Sequence, residues 1–133
     1  MILFIKHVEV EGPEVLGAFF MKQGFRILVS NLHEGDRLPA HPNGLDAVIS
    51  LGGPMNVYEE GAYPFLKEED AFLKECLERG VPVLGICLGS QLLTKAAGGW
   101  VVQSPEPEAG WFPVDLTEDG RNDPLFSGFP SRF

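Results

Sequence analysis

The chain has 133 residues, 44% of them hydrophobic and 22% charged, which fits about one folded domain and leaves no low-complexity stretch to set aside. Ten Lys and Arg against nineteen Asp and Glu give a net charge of −9, and no basic stripe could neutralise a phosphate backbone, so nucleic acid is not an expected partner. No run approaches the roughly 20 apolar residues of a membrane span and no basic-then-apolar leader opens the sequence, so no membrane partner and a cytoplasmic address are expected.

In chain order, "ILFIKH" reads as a first strand. "EGPEVLGAFFMKQG" reads as a helix with Pro13 near its start and Gly24 past its end, and Val15, Leu16, Phe19 and Phe20 are expected on one face. "FRILVS" is a second strand, a Gly, Pro, Asn and Asp-rich loop runs from Asn31 to Leu45, and "DAVISLGGP" is a third strand that stops on Gly52 and Gly53. From Pro64 to Arg79, apolar residues at helical spacing predict an amphipathic helix closed by Gly80, with Asp70 to Lys74 and Glu75 to Arg79 as outward i,i+4 pairs. "VPVLGI" is a continuous apolar run, as for a strand buried on both faces; a helix follows from about Ser90 to Ala97, and "GGWVVQ" and "GWFPVDL" read as later strands. This alternation implies an α/β fold with a doubly wound, mostly parallel sheet and helices on both faces. Ligands in such sheets bind beyond the carboxyl ends of the strands, where His7, the Gly52-Gly53 turn and Cys87 all fall.

The two cysteines, Cys76 and Cys87, form no CxxC pair and have no histidine nearby, which spells neither a disulfide framework nor a zinc site; no metal and no cofactor are expected. Cys76 falls on the apolar face of its helix and is expected to be packing. Cys87 is different. Gly85-Ile86-Cys87-Leu88-Gly89 has the G-x-nucleophile-x-G form of a strand turning sharply into a helix, with glycines where a Cβ would collide with strand or helix. The helix N-terminus there favours thiolate. An attacked carbonyl needs two donors in place, for which the N–H of Leu88 and a glycine N–H of Gly52-Gly53 are candidates. Gln91, one turn beyond Cys87, could hold a substrate or brace the turn.

These residues carry a family resemblance. "SLGGPMNVYEE", "GVPVLGICLGSQLLTKAAGG" and "AGWFPV" resemble the class I glutamine amidotransferases, and more closely the stand-alone members similar to the glutaminase domain of GMP synthase. The resemblance implies a flavodoxin-like sheet. It implies that Cys87 is the catalytic nucleophile, that Gly53 and Leu88 supply the oxyanion N–H groups, that Gly52 shapes the turn and that Gln91 helps hold glutamine. "HVEVEGPE" also resembles a segment of stand-alone members, with His7 and Glu11 at the end of the first strand and His7 as a candidate wall of the pocket. The family's base is a histidine well downstream of the cysteine, oriented by a glutamate. The last histidine here is His41, and "FSGFPSRF" resembles the run before the family's histidine, so residues 1–133 are expected to be one such domain lacking its C-terminal part. Glu106 and Glu108, in a Pro-rich loop, are expected to be solvated.

The expected function is therefore release of ammonia from glutamine through a glutamyl thioester, the ammonia passing to a separate synthetase partner. The alternatives are hydrolysis of a γ-glutamyl peptide and a catalytically silent small-molecule binding module, since without the histidine turnover should fall by roughly 10² to 10⁴. Phe126, Phe129 and Phe133 would permit a homodimer.

Overall fold

The computed structural model describes residues 1–106 and 109–133, so Glu108 lies outside the described residues. The chain divides into two compact units, Met1–Val102 and Gln103–Phe133. In the first, β1 (Ile2–Lys6), β2 (Ile27–Asn31), β3 (Ala47–Ser50) and β4 (Val83–Gly85) form one parallel sheet in the order β2-β1-β3-β4. Helix α1 (Glu14–Lys22) connects β1 to β2, α2 (Phe65–Glu78) precedes β4, and α3 (Leu88–Ala96) leaves it. The chain first winds outward from β1 to β2, then crosses to β3 on the other side of β1. That reversal puts the switch point between the carboxyl ends of β1 and β3.

Period-two alternation sorts the side chains. Ile2, Phe4, Ile49 and Leu51 pack on one face with Leu16 and Phe20 of α1. Leu3, Ile5 and Val48 pack on the other with Leu66, Phe72, Leu73 and Cys76 of α2 and Leu88 and Leu92 of α3. Each fully buried leucine or isoleucine stabilises the fold by roughly 1.5–3 kcal/mol. Helices thus cover both faces, as the strand and helix order implies.

Continuing the same alternation past Ile5 and Val48 brings His7 and Ser50 onto the α2 face, where Glu69 meets them. Nε2 of His7 lies 2.7 Å from Glu69 Oε2, Ser50 Oγ donates to Glu69 Oε1 at 2.6 Å, and Nδ1 of His7 donates to the Gly52 carbonyl at 2.9 Å. All three side chains are buried, and the Phe65 ring stacks on the imidazole with centroids 6.2 Å apart. Burial by itself lowers the His7 pKa, but the hydrogen bond and charge of Glu69, joined by the Gly52 and Leu51 carbonyls, raise it above its ordinary value.

Two further contacts fix α3. Gly89 lies so close to β3 that a Cβ there would fall on the Ser50 carbonyl oxygen. At the other end, Lys95 donates to Glu60 at 2.5 Å and stands 5.5 Å from the Tyr58 ring centroid, while the Tyr58 hydroxyl accepts from the Val101 N–H at 3.1 Å, clamping the loop after β3 to α3.

Several sequence expectations are corrected. Val15 and Phe19 are exposed, because Leu16 and Phe20, an i,i+4 pair, make the face that meets the sheet. Within "VPVLGI", expected to be buried on both faces, Leu84 and Ile86 are partly exposed, β4 pairing with β3 among the described residues. "GGWVVQ" forms no strand, and Trp100 is exposed. "GWFPVDL" contributes only Asp115, in an isolated antiparallel bridge to Arg132. That bridge belongs to the second unit, where the short helix α4 (Glu118–Asn122) is capped by Thr117, Leu116 is buried, and Phe126, Phe129 and Phe133 meet edge to face. The α2 pairs form as expected, Lys74 to Asp70 at 2.6 Å and Arg79 to Glu75 at 2.7 Å.

Two stability measurements check this packing. Gly89→Ala should lower the unfolding free energy by about 1–3 kcal/mol in urea titrations, because the new methyl group meets backbone that cannot rotate away. The folded-state pKa of His7 lies above the ordinary value of about 6.5, so its contribution is complete below about pH 6.5 and is lost as pH rises through the folded-state pKa. The stability advantage of the wild type over His7→Gln should accordingly shrink as pH rises from about 6.5 through the folded-state pKa.

Candidate active site

The turn from β4 into α3 is held by the last carbonyls of β3: Ile86 N–H donates to Ser50 O at 2.9 Å and Gly89 N–H to Leu51 O at 3.1 Å. Between these anchors the chain must reverse within three residues, and Cys87 takes up the strain with φ 54° and ψ −114°, a region that costs a non-glycine residue about 1–3 kcal/mol. A Cβ at Gly85 would lie 2.5 Å from the Gly89 carbonyl oxygen, so the strand end and the helix start touch through their glycines. The result is an exposed thiol at the N-cap of α3. Its own carbonyl is occupied, accepting from the Ser90 and Gln91 N–H groups and from the Ser90 hydroxyl.

Gly52 and Gly53 stand against this elbow. A Cβ on Gly52 would lie 3.4 Å from Cys87 Cβ and would collide with the Glu11 carboxylate; one on Gly53 would lie 3.0 Å from Leu88 Cδ2 and 3.1 Å from His7 Cβ. The structure therefore brings Cys87, Gly52, Gly53 and Leu88 together at the carboxyl ends of neighbouring strands. Among the described residues the N–H groups of Gly53 and Leu88 have no hydrogen-bond acceptor. Gln91 follows one turn along α3, half-buried. An open cleft of about 380 Å³ adjoins the turn on the α1 side, lined by Glu11, Gly12, Glu14, Gly52 and Ile86 among others.

His7 does not wall this cleft. Its side chain is fully buried beneath the Gly52-Gly53 turn, with both ring nitrogens engaged. Glu106 is exposed, as its loop suggested. Cys76 is enclosed between α2 and the sheet, and burial pushes its thiol up to about 11.

Glu69 and Ser50 are the residues that sequence reasoning missed. Glu69 had a signal: it sits between Leu66 and Leu73 on the stripe that continues to Cys76, so helical spacing assigns a carboxylate to an apolar face. Among the described residues no group of three or more His, Cys, Asp or Glu is placed to hold a metal ion, and no helix is long and apolar enough to cross a membrane.

Comparison with known proteins agrees with this geometry. The family model for class I glutamine amidotransferases matches residues 16–133. The glutamine amidotransferase-like protein YfeJ of Salmonella typhimurium is 34% identical over 131 residues, covering 96% of this chain and 55% of its own length. A glutamine-hydrolysing GMP synthase of Staphylococcus epidermidis is 42% identical over 84 residues, 63% of this chain and 14% of the synthase. The crystal structure of a glutamine amidotransferase from Thermotoga maritima superposes with a TM-score of 0.90 at 35% identity, covering 99% of this chain and 56% of the other. That of a glutamine amidotransferase from Methylobacillus flagellatus gives 0.79 at 33% identity, covering 84% and 44%. The chain thus spans about half the length of YfeJ and of the Thermotoga protein. With the elbow, the glycine turn and the parallel sheet in place, these matches establish that the chain belongs to the class I glutamine amidotransferase family.

Proposed function

We propose that the protein hydrolyses the side-chain amide of glutamine, with Cys87 as nucleophile. The observation that carries this reading is the strained, exposed cysteine at the N-cap of α3, set against a glycine turn whose Gly53 N–H has no acceptor among the described residues. The Cys87 thiolate attacks the amide carbon, forming the C–S bond while the carbonyl electron pair moves onto oxygen. The N–H groups of Gly53 and Leu88 receive that oxyanion. Collapse breaks the C–N bond, the nitrogen leaves with a proton as ammonia, and a γ-glutamyl thioester remains. Water then cleaves the thioester, releasing glutamate and the free thiol.

His7 is not the base in this scheme, because its ring nitrogens are already committed to Gly52 and Glu69 and the ring is buried. The family resemblance gives the proton-transfer role to a histidine downstream of the cysteine, and within residues 1–133 no histidine follows Cys87. Gln91 is assigned to the substrate. Glutamine-hydrolysing GMP synthases are among the relatives, which supports an ammonia-accepting synthetase as partner. A clear preference for a γ-glutamyl dipeptide over glutamine would replace that acceptor with simple hydrolysis.

Cys87→Ala should lower ammonia release from glutamine by roughly 10⁴-fold or more, leaving unfolding in urea within about 1 kcal/mol of the wild type. Activity that survives this change sinks the nucleophile assignment. Iodoacetamide added to native protein near neutral pH should modify Cys87 and leave Cys76 unmodified until denaturant is added, as read by peptide mass spectrometry, since the Cys76 thiol is buried and shifted to about 11.

A further inference from the structure

We infer that His7 is a positioning residue for the oxyanion site: by holding the Gly52 carbonyl from below, it aims the Gly53 N–H at the reacting carbonyl. This inference rests on the amide-hydrolase reading and adds to it a residue outside the nucleophile, its donors and its base.

The geometry begins with the peptide between Gly52 and Gly53. Among the described residues no peptide bond is cis, and in a trans peptide the C=O and the following N–H point in opposite directions within one rigid plane. Nδ1 of His7 fixes the C=O end of this plane at 2.9 Å from the buried side. The N–H of Gly53 must then point away from the ring, out of the sheet end. Glycines at 52 and 53 would otherwise let this plane rotate, since neither carries a Cβ to block it. The very glycines that let the turn approach Cys87 and Leu88 so closely therefore need an external restraint on their shared peptide.

His7 is itself restrained. A histidine holding a carbonyl through Nδ1 could swing about its χ angles unless its far nitrogen were also held, and Nε2 meets Glu69 Oε2 at 2.7 Å. Glu69 is held in turn by Ser50 Oγ at 2.6 Å, and Phe65 covers the ring. Glu69, from α2, is the charged group that acts on the imidazole, joined by the Gly52 and Leu51 carbonyls, and Ser50 of β3 meets the same carboxylate. A carbonyl oxygen only accepts, so Nδ1 carries the hydrogen that holds Gly52. A donor held at the Gly52 carbonyl polarises the Gly52-Gly53 amide and strengthens its N–H as a donor. Three side chains that never reach the substrate thus set the direction of one catalytic N–H.

Asparagine and glutamine separate this role from simple packing. The amide nitrogen of Asn superposes on Nδ1 of histidine, whereas that of Gln superposes on Nε2. Acylation of Cys87 by γ-glutamyl p-nitroanilide builds an oxyanion; alkylation by iodoacetamide builds none. For His7→Gln the acylation rate constant should fall about 10²-fold, with KM and the alkylation rate constant each within about threefold of the wild type. His7→Asn should recover at least about tenfold of that loss, because it restores the donor to Gly52. Equal losses in acylation and alkylation, or equal effects of Asn and Gln, would overturn the positioning role. A wild type that turns over the anilide without forming a thioester at Cys87 would overturn the hydrolase reading, and this inference with it; a thioester that forms equally fast in every His7 variant overturns the inference alone.

Discussion

The molecule depends on a buried polar tie at the point where the sheet reverses its winding. Charged and polar side chains between a sheet and a helix are destabilising unless each finds a partner. Here each does: Glu69 accepts from Ser50 on one oxygen and pairs with His7 Nε2 on the other, and His7 donates through Nδ1 to the Gly52 carbonyl. The tie joins the ends of β1 and β3 to α2, at the crevice that reversal opens in any doubly wound sheet. It closes the floor of that crevice and so fixes the level at which the glycine turn and the elbow meet.

Ser50 shows how closely scaffold and chemistry are joined. Its hydroxyl holds Glu69, its carbonyl accepts the Ile86 N–H that starts the elbow, and the same carbonyl oxygen leaves room for nothing larger than Gly89 on α3. One residue at the end of β3 thereby sets the entry to the elbow, the approach of the helix and the floor beneath the turn. The unfavourable backbone of Cys87 persists because both arms of the turn are fixed by neighbours that are themselves buried.

Much of this was legible in the sequence. The alternation of apolar runs with helical patterns revealed the parallel sheet, and the glycines at 52, 53, 85 and 89 marked where backbone passes close to backbone. What was hidden came from side chains whose role depends on a partner distant in sequence. His7 reads as a polar residue ending a strand until Glu69, contributed by a helix far along the chain, is placed against it. Trp100 and the "GWFPVDL" segment misled because β-propensity describes a half-buried pleated surface, and no such surface receives them among the described residues.

The clamp at Lys95 has a mechanical meaning. Lys95 lies in the last turn of the helix that begins at Leu88, and Glu60 lies in the loop that leaves the Gly52-Gly53 turn. Loop, helix and sheet end thus close into a frame whose two open corners are the N–H groups of Gly53 and Leu88. The lysine stands roughly 10 Å along the helix from Leu88, yet it belongs to the same closed linkage. The far end of α3 is therefore tied back to the glycine turn by two routes, through the sheet end at Gly89 and through the loop at Glu60.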